Sequence, residues 1–163
     1  MSLVYIPPFN VAADEAELRA FVAGVRAGWL VTNGHDSAPS ATYLPVLWRG
    51  DTVIAHFAKA NPHWREIGSE TAALVIVTGP DAYVSPTWYA VKAEHGKVVP
   101  TWNYSAVHLT GLARVHHDPE WLRMVVEELT TTLLIVMSEP KLTWVVPWAK
   151  CVNCPVMLTD RFC

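Results

Sequence analysis

No cysteine precedes Cys151, and the three cysteines, Cys151, Cys154 and Cys163, crowd into the C-terminal end. A secreted scaffold spreads an even number of cysteines along its chain, so this one does not fit that class. Charge is sparse as well. Only 17% of residues carry it, and the net charge of −3 offers no global basic field. Nucleic acid would have to be met by a local patch or through a partner. No apolar run reaches the length that spans a bilayer. The opening MSLVYIPPFN has neither the basic nor the apolar region of a signal peptide. A cytoplasmic protein with no membrane partner is therefore expected. Also missing are H-x-x-x-H, H-E-x-x-H, the G-x-S-x-G elbow and the Walker loop. The seven histidines are read as mostly surface or structural, and no dedicated catalytic residue is readable. Cys151-Val152-Asn153-Cys154 resembles half a zinc site or a redox pair. Zinc needs two more ligands, and the motif falls in an irregular tail, so no metal is expected.

Tryptophan is plentiful: there are eight in 163 residues. It buries a large surface but needs a partner for its N–H, so many tryptophans suggest ligand or subunit contacts besides the core. With 52% hydrophobic residues, the chain suits one globular domain.

Periodicity places the elements. Leu18, Phe21, Val22 and Val25 follow helical spacing. Asp14 with Glu17 forms a capping box, and Gly28 ends the helix. Strands are expected at 28–32, 40–48, 52–58, 71–79 and 106–115, with Pro45 marking an edge or a bulge. Asn33-Gly34 and Arg49-Gly50-Asp51 are turns. Residues 60–68 begin a short helix with Asn61 as its cap and Pro62 in its first turn. Residues 80–89 form a proline-punctuated aromatic stretch, and 91–97 a charged loop. Asp118-Pro119 starts a helix carrying Trp121, Leu122, Val125, Val126 and Leu129 on one face. About six short strands with helices at the start, middle and end fit a small antiparallel barrel better than a doubly wound sheet.

Two stretches carry candidate chemistry. In HFAKANPHW (56–64) a helix start follows a lysine. Free N–H groups at a helix start attract phosphate, Lys59 adds a charge, and His56 or His63 adds a donor. An ordinary capped helix with a solvated lysine has the same signature. In VVPTWNYSAVHLTG (98–111), Trp102 and Tyr104 fall on one side of a strand and Asn103 on the other. An aromatic wall with an amide suits a flat ligand with a polar edge. An aromatic pair in the core, with Asn103 bonding a turn, is the reading that the residues alone favour.

VYIPPF near the start, SATYLP (40–45), HFAKANPHW, GPDAYVSPTWY (79–89) and VVPTWNYSAVHLTG together resemble the PaiB-type family of FMN-binding negative transcriptional regulators. That family belongs with the pyridoxamine phosphate oxidase-like flavoproteins. The resemblance covers roughly residues 4–131 and implies a mainly β fold with peripheral helices, a six-stranded antiparallel split β-barrel. It also implies a homodimer with FMN near the subunit interface. By position, Thr42, Leu44 and Pro45 would lie along the flavin. His56, Lys59, Asn61 and Trp64 would lie at the ribityl phosphate, and Trp102, Asn103 and Tyr104 beside the ring. The domain is accordingly drawn as 1–131, with 132–163 a divergent tail. That tail is apolar and β-branched, as a shifted reading frame or a divergent terminus would make it. The resemblance implies an FMN-binding regulator. A small flavin-dependent oxidoreductase, with Tyr83, Tyr89 or His95 over the ring, and a degenerate member without flavin are the alternatives.

Overall fold

The computed structural model describes residues 11–34, 38–89, 96, 98–137, 149–153 and 156–159. Helix α1 (Glu15–Val25) starts as its capping box dictates. Asp14 Oδ1 accepts the Glu17 N–H at 2.9 Å, and Glu17 Oε2 reaches back to the Ala13 N–H at 2.7 Å. Its stop is not glycine. Arg26 takes the left-handed conformation (φ 63°) and donates its N–H to Val22 O. The chain thus reverses two residues before Gly28, the expected stop. Gly28 instead lies within the sheet, where a Cβ would come within 2.9 Å of Ile76 O on the neighbouring strand.

Strands β1 (Ala27–Asn33), β2 (Pro39–Arg49), β3 (Thr52–His56), β4 (Thr71–Val84) and β5 (Thr101–His116) form a curled antiparallel sheet. The hydrogen-bonded order runs β4–β1–β2–β3, and β5 adds to the other side of β4. The fold is mainly β with peripheral helices, as expected, but five strands are antiparallel rather than six. Two short segments, β6 (Ala149–Asn153) and β7 (Val156–Thr159), pair in parallel. β6 lies along β5, and β7 lies between β3 and β5. Cys151 is therefore in a strand, not in an irregular tail, while Cys154 and Cys163 lie outside the described residues.

Pro45 is neither at a sheet edge nor in a bulge. It sits where β2 changes partners: Pro39–Pro45 pair with β1, and Val46–Arg49 pair with β3. A residue without an N–H fits such a handover. The N-terminal half of β2 consequently has no ladder on the β3 side, and that opening creates the site described below. Gly50, between β2 and β3, has a positive φ of 52°, as the expected turn requires.

β4 and β5 outrun their expected lengths. β4 continues through Pro80 because the register shifts between Thr78 and Asp81, and this irregularity absorbs the proline. Beyond it, Asp81–Val84 pair only with Thr101–Tyr104, so the two strands extend as a ribbon.

The core lies inside the curl. Leu30, Val53, Phe57, Val75, Val77 and Leu109 are fully buried there, joined by Leu18 and Val22 of α1. Each contributes about 1.5–3 kcal/mol on burial. The opposite face of β2–β3 is covered by α2 (Pro119–Met137), whose Val125 and Leu129 pack with Ile54, Leu47 and Trp121. Asp118 Oδ1 accepts the Glu120 N–H at its start.

Candidate functional site

The half of β2 that lacks a ladder on the β3 side faces a 3₁₀ turn, Pro62–Glu66, and the short helix expected to begin in 60–68 takes this form. Asn61 caps it as the sequence requires. Its Oδ1 accepts the His63 N–H at 3.0 Å. That bond occupies a terminal donor, and one 3₁₀ turn has little dipole to add, so the helix start is not a phosphate cradle on its own.

Between turn and strand lies an open depression of about 440 Å³, lined by Ser40, Thr42, Tyr43, Asn61, His63 and Glu66 among others. Its floor is a hydrogen-bonded chain. His63, 4% exposed, bonds Thr32 Oγ1 through Nε2 and Thr42 Oγ1 through Nδ1, both at 2.8 Å. Asn61 Nδ2 donates to Thr42 Oγ1 at 3.4 Å. Ser40 Oγ donates to Glu66 Oε2 at 2.5 Å. Phe57 packs its ring edge against His63 at 5.4 Å. Burial lowers the His63 pKa below its ordinary value, and the Glu66 carboxylate partly opposes that. A neutral imidazole joining two hydroxyls beside an amide and a carboxylate can hold a ligand rich in hydrogen-bonding atoms.

The candidates from the sequence separate into groups. Thr42 and Asn61 line the depression together. Leu44 does not join them: it is 5% exposed and packs in the core. Pro45 is half-buried at the handover. Lys59 is exposed three residues before the turn begins at Pro62, and its carbonyl accepts Trp64 Nε1–H at 3.2 Å. Trp64 meets the ring of His117 edge-on at 6.0 Å, with the Arg65 guanidinium 5.2 Å from its own ring. His56, half-buried, ends β3.

Trp102, Asn103 and Tyr104 are all exposed on the ribbon, so the core reading of the aromatic pair does not hold. Trp102 is 60% and Tyr104 56% exposed. Trp102 Nε1 donates to Asp81 Oδ1 at 3.0 Å, and its ring lies 6.2 Å from Tyr83. The register shows how far this group is from the depression. Thr42 aligns with Leu30, Leu30 with Val75, and Val75 with Leu109 of β5. From Leu109 back to Tyr104 and Trp102 is roughly 16–23 Å along the strand at ~3.3 Å per residue. One copy of the chain does not bring the two groups together. His95 lies outside the described residues.

Sequence reasoning understated His63 and missed Thr32, Ser40 and Glu66. His63 was one of two donors beside Lys59. The signal that finds the others is tertiary: strand pairing sets Thr32 directly across from Ser40. Among the described residues, no group of three His, Cys, Asp or Glu could hold a metal, and no helix is long and apolar enough to cross a membrane.

Residues 4–149 match the family model described as "Putative FMN-binding domain". The chain belongs to this family. A Bacillus subtilis (strain 168) member, "Protease synthase and sporulation protein PAI 2", is 35% identical over 80% of this chain and 60% of its own length. The Saccharomyces cerevisiae protein YKL070W is 31% identical over 63% of this chain and 66% of its own. The chain thus spans less than two thirds of either relative. A solved structure from Mycobacterium smegmatis, of a protein described as binding FAD and haem, shares the fold with TM-score 0.59 and 18% identity. That likeness covers 81% of this chain and 60% of the other. The PaiB resemblance seen in the sequence is thereby established, and the family match extends past residue 131.

The residues fit what the family's description implies. Thr42 and Asn61 are polar groups that the apolar core does not use, and the ribbon aromatics are solvent-facing flat surfaces.

Proposed function

We propose that this protein binds FMN and acts as a PaiB-type negative regulator of transcription, as a homodimer in the cytoplasm. The observation that carries the reading is the pair of half-sites. A bonded polar depression and an exposed aromatic ribbon lie too far apart on one copy, and a second copy can supply the missing wall. Thr42 and Asn61 would bind polar atoms of the ligand, Lys59 its phosphate, and Trp102 or Tyr104 one face of the ring. A bound flavin would supply redox chemistry, and these residues would hold and orient it. With net charge −3, regulation is assigned to flavin-dependent changes in partner contacts rather than to broad electrostatic binding of DNA.

The purified protein tests this directly. Visible flavin bands, or quenching of added FMN fluorescence, are expected; a colourless protein with no quenching refutes the reading and assigns a degenerate member. Lys59→Ala should weaken FMN by roughly five- to tenfold and riboflavin hardly at all. Equal losses for both would remove Lys59 from the phosphate. Steady NAD(P)H- or O2-dependent turnover would assign the oxidoreductase instead.

A further inference from the structure

His63 has a hydroxyl on each side, and the two are not equivalent. Thr32 is 2% exposed and lies behind the ring, off the lining of the depression. Thr42 lies in front, on that lining. A neutral imidazole donates from one nitrogen and accepts at the other, so the two hydroxyls must play opposite parts. Among the described residues, the hydrogen-bond partner of Thr32 Oγ1 is His63 Nε2. If Nε2 carried the proton, the buried Thr32 hydroxyl proton would have no acceptor there, which is costly. Thr32 therefore donates to Nε2, and the ring proton resides on Nδ1. Nδ1–H then donates to Thr42 Oγ1. The Asn61 amide is oriented independently. Its Oδ1 accepts the His63 backbone N–H, which turns Nδ2 toward Thr42 Oγ1. Both acceptor positions of that oxygen are filled, and its own proton is left for the depression.

We propose that His63 is a positioning residue that relays hydrogen-bond polarity from Thr32 to Thr42, making the Thr42 hydroxyl a committed donor to an acceptor atom of the bound ligand. The choice of ligand rests on the flavin reading above; the relay does not. A site of this polarity selects carbonyl, ring-nitrogen or phosphate acceptors and disfavours a ligand that offers only a donor at that point.

Two measurements on the full chain test it. The first is the imidazole ¹⁵N spectrum of His63 near neutral pH. The Nδ1–H tautomer supports the relay, and the Nε2–H tautomer overturns it. The second is FMN affinity, by fluorescence quenching, of Thr32→Val and Thr32→Ser. Thr32 touches neither depression nor ligand, so a purely structural role predicts changed stability with unchanged affinity. The relay predicts that Thr32→Val loses the single tautomer and weakens FMN roughly five- to tenfold, and that Thr32→Ser restores both. Unchanged tautomer and unchanged affinity in Thr32→Val overturn the proposal. If Thr32→Val does not fold, the wild-type tautomer decides alone. If wild-type protein does not bind FMN, the flavin reading falls, and the tautomer still decides the relay.

Discussion

Among the described residues, burial of His63 and His108 couples stability to pH. Burial lowers the pKa of both below the ordinary 6.5, with Glu66 opposing the shift at His63. The unfolded chain therefore takes up protons near pH 6.5, while the folded chain resists until a lower pH. Where the unfolded state binds more protons, stability rises with pH. Stability is thus full above pH 6.5, falls as pH drops below it, and levels off once the folded histidines protonate. Urea midpoints measured from pH 8 down to pH 5 should be flat and then decline, and His63→Asn should shallow the decline. A midpoint independent of pH over that range contradicts the burial argument. Of this residue's surroundings, only the Asn61 cap was legible locally, because a cap is formed by neighbours in sequence. Thr32 and Thr42 reach His63 from two paired strands, and nothing in the spacing of a linear chain announces that meeting.

The ribbon Asp81–Val84 with Thr101–Tyr104 is the element whose role differs most from its sequence pattern. Alternation put Trp102 and Tyr104 on one side, and the strand pairing agrees, setting Tyr83 opposite Trp102. What alternation does not tell is whether that side is covered. Here it is open, because the neighbouring strand β1 pairs with β4 at Ala73–Ile76 and not along the ribbon. Trp102→Ala should consequently change stability by only about 0.5 kcal/mol, as for a surface position, while reducing flavin affinity. A loss of several kcal/mol in denaturation would place Trp102 in a core. Pro45 carries the same lesson at element scale. Proline in a strand signals interrupted pairing, yet the interruption is an exchange of partners inside the sheet rather than an edge.

At the scale of the molecule, the proposed homodimer is tested through the exposed aromatics. Trp29 and Tyr43 pair across β1 and β2 with ring centroids 5.1 Å apart while each stays about half exposed. Tyr83, Trp102 and Tyr104 add to this on the ribbon. They form two separate exposed aromatic groups, one beside the depression and one on the ribbon, and the proposed homodimer would cover both. Sedimentation equilibrium should give a dimer at micromolar concentration, and Trp29→Glu should shift it toward monomer with loss of flavin binding. A wild-type monomer at every concentration tested, still binding FMN tightly, would show that one copy suffices.

The amino-acid sequence by itself determined the class of this protein. Apolar periodicity marks α1, the five main strands and α2, since each element must bury one face. The five sequence blocks carry the family because their order along the chain is specific. Capping at Asp14, Asn61 and Asp118 was equally readable, since a cap joins residues two or three apart. Tertiary structure alone decided which candidates share a site. It sent Leu44 to the core, joined Thr32 to Thr42 through His63, and held the Trp102 group apart from both. The physical reason is that burial and hydrogen-bond partnership belong to pairs of strands distant in sequence, and their register is set by packing of the whole sheet.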